Sequence, residues 1–410
     1  MRLTVLSISL ACLFWSCQPT APTTENQTLS IIDSLTLDLD KLYDRGHING
    51  YAVAIVNESG MLYEQGFGFA NVAEQKPYTA KTIQNIASIS KTLLGIALLK
   101  GQELGYLKLD DPINDYLPFE VMNPYFPDET ITIRHLATHT ATITDTDAYG
   151  QRSYLLVNAE DSALAKSIGS ASEFNTPETA VPMGELLERF LSAQGEWYQK
   201  ESFLEMKPGV RYEYSNIGAT LAAYVLELAA DQEYSAFTKQ HILDPLEMST
   251  SGWSLDAIDR SLHTKLYADS ATAIPMYSLI TYPDGGLITS VHDMGKYLSE
   301  LIRGYHGQGK LLTQESYATF FSEQLTEENF EERDTDRPYD DEYNAGIFVG
   351  HTPIGYIGHM GGDPGVSSFM FFDPKTKLGR LLFVNRDLNG DGADQFYAVW
   401  DKLGEYQERL

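Results

Sequence analysis

Residues 88–100 read Ser-Ile-Ser-Lys-Thr-Leu-Leu-Gly-Ile-Ala-Leu-Leu-Lys. Their apolar side chains recur on a broad face, which predicts a buried helix. Ser88 and Lys91 stand three residues apart, and such positions share one face of a helix. We therefore expect Lys91 beside the Ser88 hydroxyl at a helix N-terminus, where free backbone N–H groups and the positive end of the helix dipole add to the site.

The Ser88-x-x-Lys91 spacing is typical of nucleophilic catalysis. A serine is a poor nucleophile until a neighbour takes its proton. A lysine takes a proton when burial or another cation lowers its pKa. The motif occurs once in the chain, as chance alone would give at this length. The alternative is that Ser88 only caps the helix and that Lys91 lies on the surface.

Tyr214-Ser215-Asn216 is a second candidate element, placed before a helical pattern at 219–230. The Tyr214 phenol would relay a proton if neighbouring cations favour its phenolate. The Asn216 amide offers both a donor and an acceptor to a substrate. The alternative is a turn with a helix cap, in which the tyrosine only packs.

His359-Met360-Gly361, followed by Gly362, ends a predicted strand at 354–359. A glycine on a strand edge allows a substrate backbone to approach closely. The backbone N–H groups of Gly362 and Ser88 would then form an oxyanion hole. The alternative is a histidine in a turn.

In this order, Ser-x-x-Lys, Tyr-x-Asn and a basic residue-x-Gly resemble the serine β-lactamase and penicillin-binding-protein superfamily. The resemblance is closest to class C β-lactamases and their esterase and D-aminopeptidase relatives, and it covers about residues 35–405. Further similar stretches are 131–140, Pro208-Gly209 and 284–287.

The resemblance implies a hydrolase that works without a metal or cofactor through a covalent acyl-serine intermediate. It implies Ser88 as the nucleophile, with Lys91 and Tyr214 sharing the proton transfers. The substrate-binding residues that it implies are Asn216, His359, Gly361 and Gly362.

The third element departs from the β-lactamase pattern. His359-Met360 stands where β-lactamases of this family carry Lys-Thr or Lys-Ser. A neutral histidine binds an anion more weakly than lysine does, and methionine offers no hydroxyl. This favours a small ester or a D-amino-acid peptide as the substrate. A true β-lactamase or cell-wall D,D-carboxypeptidase remains an alternative, as does a catalytically silent binding or sensor domain.

Strand patterns lie near both ends of the chain, at 51–57 and 61–70 and again at 346–350, 354–359, 369–372 and 381–385. Helical patterns lie between them. We predict an α/β (α+β) fold whose antiparallel sheet is flanked by helices and built from both chain ends. Residues 30–133 and 343–410 would form this part, and 134–342 an inserted, mainly helical domain with long loops.

Two segments of the insert are predicted to be irregular. Residues 145–182 are polar and aperiodic, which indicates a long surface insertion that shapes the pocket. Residues 326–342 are strongly acidic, which indicates a solvated loop. His135 and His139 are four residues apart but lack the glutamate of a metalloprotease motif, so we interpret both as structural.

Composition excludes one class of partner. The formal net charge is −28, from 29 Lys+Arg against 57 Asp+Glu. Such a chain repels phosphate backbones, which excludes nucleic acid. The expected partners are a small-molecule or peptide substrate and a membrane. The sequence predicts no oligomeric state.

The membrane expectation rests on residues 1–17. An apolar run at 3–15 is too short to span a bilayer and is followed by Ser16-Cys17 and a Pro/Thr-rich stretch. This predicts a lipoprotein signal peptide, a lipid on Cys17, a linker at 18–29, and a lipid-anchored protein of the bacterial cell envelope, facing the periplasm or the surface. Simple cleavage without a lipid is the alternative.

Overall fold

The structure is a computed structural model of the 410-residue chain, and it describes residues 30–168, 174–331, 333 and 335–410. The predicted signal peptide with Cys17 and the predicted linker up to residue 29 lie outside these ranges. No helix within the described ranges combines the length and the apolar character that crossing a membrane requires.

The described part of the chain forms helices α1 to α12 and strands β1 to β15. The helices are Ile31–Tyr43, Ser90–Glu103, Ile133–Ala137, Asp147–Ser153, Ser162–Ser167, Met183–Leu191, Asn216–Ala230, Tyr234–Thr238, Tyr282–Gly285, Val291–Tyr305, Gln314–Phe321 and Asp391–Gln407. The strands are Gly50–Asn57, Gly60–Asn71, Lys76–Pro77, Gln84–Asn85, Tyr154–Leu156, Phe174–Asn175, Leu266–Tyr267, Ala273–Ile274, Tyr277–Leu279, Ile288–Thr289, Asn344–Ala345, Gly350–His351, Ile357–Asp363, Val366–Asp373 and Leu378–Val384.

The main sheet has eight strands in the order β11-β12-β13-β14-β15-β1-β2-β3. Its centre joins the two ends of the chain, because β1 pairs antiparallel with β15, with Tyr51 opposite Val384. The neighbouring pairs β1–β2, β13–β14 and β14–β15 are also antiparallel. The predicted antiparallel sheet built from both termini is thus confirmed.

Both faces of the central strand β1 are buried, which explains its continuous apolar sequence. Successive side chains of a strand point to opposite faces. Tyr51 and Val53 pack with residues of α1 and α12, such as Leu39 and Trp400. Ala52 and Ala54 belong to the larger core on the other face, which contains most of α2 and α10. Helix α10 lies against this face of the sheet, and α2 belongs to the same core.

The predicted strand at 346–350 is wrong. The strands β11 and β12 flank it, and residues 346–349 connect them. Phe348 has a φ of +52°, which no strand residue adopts. Its N–H donates to the carbonyl of Ala137 at 2.9 Å, and the N–H of Ile347 donates to that of Phe320 at 3.0 Å. These apolar residues are buried against helices, so their hydrophobicity does not reflect strand pairing.

The two segments predicted as irregular also differ from expectation. Residues 145–182 contain α4, β5, α5 and β6, and β5 pairs with β9 through Tyr154 and Leu279. Within 326–342, Asp340 and Asp341 are buried instead of solvated. Burial of these few residues is set by tertiary packing, which the local composition does not reveal.

The domain boundaries at 134 and 342 stay a prediction. Helix α10 falls within 134–342 by number, yet it packs against β1 and β15. A Cβ atom added to Gly379 of β15 would lie 2.7 Å from a methyl group of Leu298 in α10. The sheet therefore carries helices from the middle of the chain as well as from its ends.

Candidate active site

Ser88 lies in a 3-10 turn, Ala87–Ile89, that leads directly into α2. Ala87 has a φ of +51°, a conformation that L-residues rarely adopt. The turn is held from both sides, because Ile86 donates its N–H to Leu287 and accepts a hydrogen bond from the Ser368 hydroxyl at 2.9 Å. Such a constrained turn fixes the position of the Ser88 side chain at the start of the helix.

Strand β13 packs directly on this turn at Gly361. A Cβ atom on Gly361 would lie 2.3 Å from the Ile86 carbonyl oxygen and 3.1 Å from the Ala87 Cβ. Only glycine fits there without displacing the backbone that carries Ser88. The neighbouring Gly362 is exposed, and a Cβ atom there would meet nothing within 4 Å.

Lys91 is completely buried and points at Ser88. Its Nζ lies 3.0 Å from the Ser88 Oγ, 2.7 Å from the Asn216 Oδ1 and 2.5 Å from the carbonyl oxygen of Asp284. Burial lowers the pKa of Lys91, while nearby carboxylates, chiefly Asp284, oppose this shift. The alternative that Lys91 is a surface residue is excluded.

Asn216 begins α7 and is fixed by Asp145. The Asp145 carboxylate accepts hydrogen bonds from the Asn216 Nδ2 at 2.7 Å and from the backbone N–H groups of Asn216 and Ile217 at 2.9 and 3.0 Å. A carboxylate at a helix N-terminus satisfies free donors and the helix dipole. Because the amide nitrogen must face this carboxylate, the amide oxygen faces Lys91.

The ring of Tyr214 lies near the Lys91 amino group. The Lys91 Nζ is 5.0 Å from the centre of its ring. Burial raises the pKa of Tyr214 well above its usual value, and a hydrogen bond with Ser88 opposes that shift only in part. This shift favours the protonated phenol of Tyr214. The predicted role of Tyr214 as a proton carrier stays a prediction.

His139 stacks on the Tyr214 ring at 4.5 Å with 28° between the planes. Its Nδ1 accepts a hydrogen bond from the Ser215 N–H at 3.1 Å, so this nitrogen carries no proton. Burial, with smaller contributions from Lys91 and His359, lowers the pKa of His139 well below its ordinary value. The interpretation of His139 as structural thus missed its contact with Tyr214. Its spacing from His135 carried no signal for this role.

His359 also lies near Tyr214, with 6.2 Å between the ring centres. Its Nδ1 lies 2.6 Å from the Met360 carbonyl oxygen and 3.0 Å from an Asp341 carboxylate oxygen. Burial lowers the pKa of His359 to about 4 and raises that of Asp341 to about 7. His359 is therefore neutral near pH 7 despite its acidic neighbour.

Met360 faces away from the site. Its side chain packs against the apolar cluster under α1 and α12, on the opposite face of the sheet from His359. Met360 is therefore a partly buried packing residue. Its side chain does not lie where a hydroxyl group could contact the substrate. The neutral His359 remains the relevant departure from the Lys-Thr-Gly pattern.

A cavity of about 510 Å³ opens beside Ser88. Half of the residues that line it come from the 145–182 segment, between Asp145 and Tyr154. Asn216 and Gly362 also line it. The segment predicted as a surface insertion thus forms a wall of the cavity, as expected of the part that shapes the pocket.

None of the four carboxylates that line this cavity was predicted as a site residue, although Asp284 lies in one of the family-like stretches. The Asp284 carboxylate accepts hydrogen bonds from the Tyr149 hydroxyl at 2.7 Å and the Thr220 hydroxyl at 3.0 Å. Asp363 ends β13 directly after Gly362 and accepts one from the Tyr154 hydroxyl at 2.5 Å. The position of Asp363 directly after Gly361-Gly362 was the feature of the sequence that could have identified it as a site residue.

The structure thus brings the predicted residues to one place. Ser88, Lys91, Tyr214, Asn216 and His359 surround one point; Gly361 supports the turn, and Gly362 lines the cavity. The roles assigned to them stay predictions. Within the described ranges, no group of three or more His, Cys, Asp or Glu side chains is arranged to hold a metal ion.

A family model described as Beta-lactamase matches residues 36–403, which is most of the chain. The chain belongs to this family. Its relatives include Protein flp of Staphylococcus aureus (strain MW2), 24% identical over 348 residues, or 83% of this chain and 60% of that protein. The mouse mitochondrial serine beta-lactamase-like protein LACTB is 24% identical over 71% of this chain and 61% of that protein. The chain thus spans about three fifths of the length of these relatives.

Solved structures share the fold of this Beta-lactamase family member. The octameric penicillin-binding protein homologue of Pyrococcus abyssi has a TM-score of 0.67 and 23% identity over 90% of this chain and 77% of that chain. The D-amino acid amidase of Ochrobactrum anthropi SV3, in complex with L-phenylalanine amide, has a TM-score of 0.65 and 18% identity over 92% and 99%. At these identities, the likeness establishes the fold alone.

Proposed function

We propose that this chain is a serine hydrolase that cleaves an ester or amide through a covalent acyl-Ser88 intermediate. The observation that carries the proposal is the 3.0 Å contact between the Lys91 Nζ and the Ser88 Oγ, deep in a cavity wall. A buried lysine next to a hydroxyl is the arrangement that activates a serine.

The partners of Lys91 favour it as the base. The Asn216 Oδ1 and the Asp284 carbonyl oxygen are acceptors only, at 2.7 and 2.5 Å. A neutral amine has two N–H groups, which these acceptors bind, and one lone pair. That lone pair then faces the Ser88 hydroxyl and can accept its proton.

This geometry supports the following reaction. The Ser88 Oγ bonds to the substrate carbonyl carbon as its proton passes to Lys91, and backbone N–H groups of Ser88 and Gly362 stabilise the oxyanion. The bond to the leaving group breaks, and the leaving atom takes a proton from the Tyr214 phenol, which Lys91 replaces. Water then attacks the acyl group, giving its proton back through the same groups and releasing Ser88 and the acid.

A small ester or a D-amino-acid peptide is the substrate that we favour. A β-lactam carries a carboxylate that a cation would hold, whereas His359 is neutral here because burial lowers its pKa to about 4. A solved neighbour with the same fold is a D-amino acid amidase. A β-lactamase or D,D-carboxypeptidase is the second candidate, since another neighbour with this fold is a Beta-lactamase/D-alanine carboxypeptidase from Yersinia pestis.

Ser88→Ala tests the nucleophile. It should lower turnover roughly 10³-fold or more, because the covalent step is lost. A fluorophosphonate probe should label the wild-type protein and the Ser59→Ala control, whose serine lies in the β1–β2 turn, but not Ser88→Ala. Equal labelling of Ser88→Ala and wild type would reject the proposal.

The substrate class is tested by comparing kcat/KM values on one preparation. We expect p-nitrophenyl acetate or D-alanine p-nitroanilide to be cleaved at least about tenfold better than nitrocefin. Efficient nitrocefin hydrolysis would instead support the β-lactamase alternative. Labelling of Ser88 without turnover of any substrate would favour a binding or sensor domain.

A further inference from the structure

The cavity beside Ser88 is acidic. Its lining includes the carboxylates of Asp145, Asp147, Asp284 and Asp363, and none of the described residues that line it is lysine, arginine or histidine. Lys91 reaches the cavity only from behind Ser88. A substrate that enters therefore meets negative charge on several walls, which disfavours an anionic group and favours a cation.

Two of these carboxylates already accept several hydrogen bonds from the protein. Asp145 accepts hydrogen bonds from the first N–H groups of α7. Asp284 accepts hydrogen bonds from two hydroxyl groups; burial raises the pKa of its carboxyl, and the nearby Lys91 opposes this shift. Asp147 is exposed in the first turn of α4, where water solvates it. None of these three needs a ligand.

Asp363 differs from them. Its Oδ1 accepts the Tyr154 hydroxyl at 2.5 Å, but its Oδ2 is a buried atom without a hydrogen-bond partner among the described residues. A Cβ atom at Gly285 would lie 3.5 Å from this oxygen, and Ala87 is the next nearest contact of that position. The unpartnered oxygen thus lies close to the turn that carries Ser88.

Asp363 lies close to where the bond to be cleaved would be held. It follows Gly362 on β13, and Gly362 lines the same cavity as Ser88. A carbonyl held at Gly362 and Ser88 would therefore lie within a few bonds of a group held at Asp363. An ionised carboxylate with a buried, unpaired oxygen is costly, and a ligand ammonium would remove that cost through a charge-assisted hydrogen bond.

We propose that the substrate is an amino-acid amide, ester or short peptide whose free ammonium group binds the Asp363 carboxylate while its carbonyl faces Ser88. The inference rests on the proposed acyl transfer at Ser88 and adds the group that the enzyme recognises. Acetylation of the amine removes the positive charge and would remove the pairing.

The test measures protection of Ser88 from fluorophosphonate labelling by two isosteric amides. D-Alanine amide carries the ammonium, and D-lactamide carries a hydroxyl in its place. We expect D-alanine amide to protect at a concentration at least about tenfold lower than D-lactamide, since charge-assisted pairing in a partly buried site exceeds a neutral hydrogen bond.

Variants locate the pairing. Asp363→Asn retains an acceptor for Tyr154 but no charge, and should reduce the tenfold preference to less than about threefold. Asp147→Asn removes an exposed carboxylate of the same cavity and should leave most of the preference intact. If both variants lost the preference for D-alanine amide equally, the preference would come from the overall negative charge of the cavity. That result would overturn the role of Asp363.

The outcomes separate this inference from the proposed function. If the probe fails to label Ser88 at all, the proposed nucleophile fails. If Ser88 is labelled but the two amides protect equally, or neither protects, the ammonium site is refuted while the nucleophile stands. Equal preference in wild type and Asp363→Asn would likewise refute it.

Discussion

At the scale of single residues, the buried Asp363 carboxylate destabilises the free protein but could bind the ammonium group of a ligand. Burial raises the pKa of its carboxyl to about 7; the Tyr154 hydroxyl and Lys91 oppose the shift, while Asp284 and Asp387 add to it, and Tyr277 also lies near. A protein that needed only stability would place an amide or an apolar group here. The charge therefore points to recognition.

This shift predicts a pH-dependent stability difference. The folded-state pKa is above the unfolded value, so the protonated carboxyl contributes stability that is complete below about pH 4 and lost as the pH rises through about 7. Asp363→Asn has no such loss. Its free energy of unfolding relative to wild type should increase by about 1–2 kcal/mol between about pH 4 and pH 8.

Urea unfolding of both proteins across that range would measure the effect. Asp147→Asn is the control, since its carboxylate is exposed to water. Parallel stability curves for wild type and Asp363→Asn would show that folding does not raise the pKa of the Asp363 carboxyl.

At the scale of elements, the site depends on the close approach of β13 to the Ser88 turn. Gly361→Ala would place a methyl group 2.3 Å from the Ile86 carbonyl oxygen. We expect it to lower the free energy of unfolding by about 1–3 kcal/mol, as overpacking does, and to slow labelling of Ser88 by displacing the turn.

The next residue supplies the comparison. A Cβ atom at Gly362 meets nothing within 4 Å, so Gly362→Ala should unfold at the same temperature as wild type. Thermal unfolding and the rate of fluorophosphonate labelling would check both variants. If Gly361→Ala matched wild type in both measurements, the packing of β13 would not position the nucleophile.

The elements also show where sequence reasoning succeeds. Strand β1 and helix α2 were predicted because their sequences are rich in apolar residues over a long stretch, and the three motifs were found because each is local. The predicted strand at 346–350 failed, since Phe348 is buried against helices. The contacts of His139 and Asp341 could not be predicted, because they are made with residues distant in sequence, Tyr214 and His359.

At the scale of the whole molecule, we propose attachment to a membrane through a lipid on Cys17, which lies outside the described residues. No described helix is suited to crossing a membrane. If this lipid is the anchor, Cys17→Ser should move the protein from the membrane fraction to the soluble fraction, with unchanged kcat/KM in the soluble domain. Cys12→Ser, within the apolar run, is the control and should remain in the membrane fraction.

Fractionation followed by immunodetection would measure this distribution. A Cys17→Ser protein that still sediments with membranes would point to another attachment. Release of both variants would place the effect in the processing of the apolar run and not in a lipid on Cys17.

The pairing of β1 with β15 has a consequence for how the protein acquires its activity during synthesis. Tyr51 in β1 cannot pair until Val384 in β15 has been synthesised. The centre of the sheet therefore forms by closing a large loop, and topologies with such distant contacts fold slowly. A nascent chain that already contains Ser88, Lys91 and Tyr214 still lacks strand β13, which packs against the turn that carries Ser88. We therefore expect the proposed hydrolase activity to appear only after the last strands of the sheet have been made.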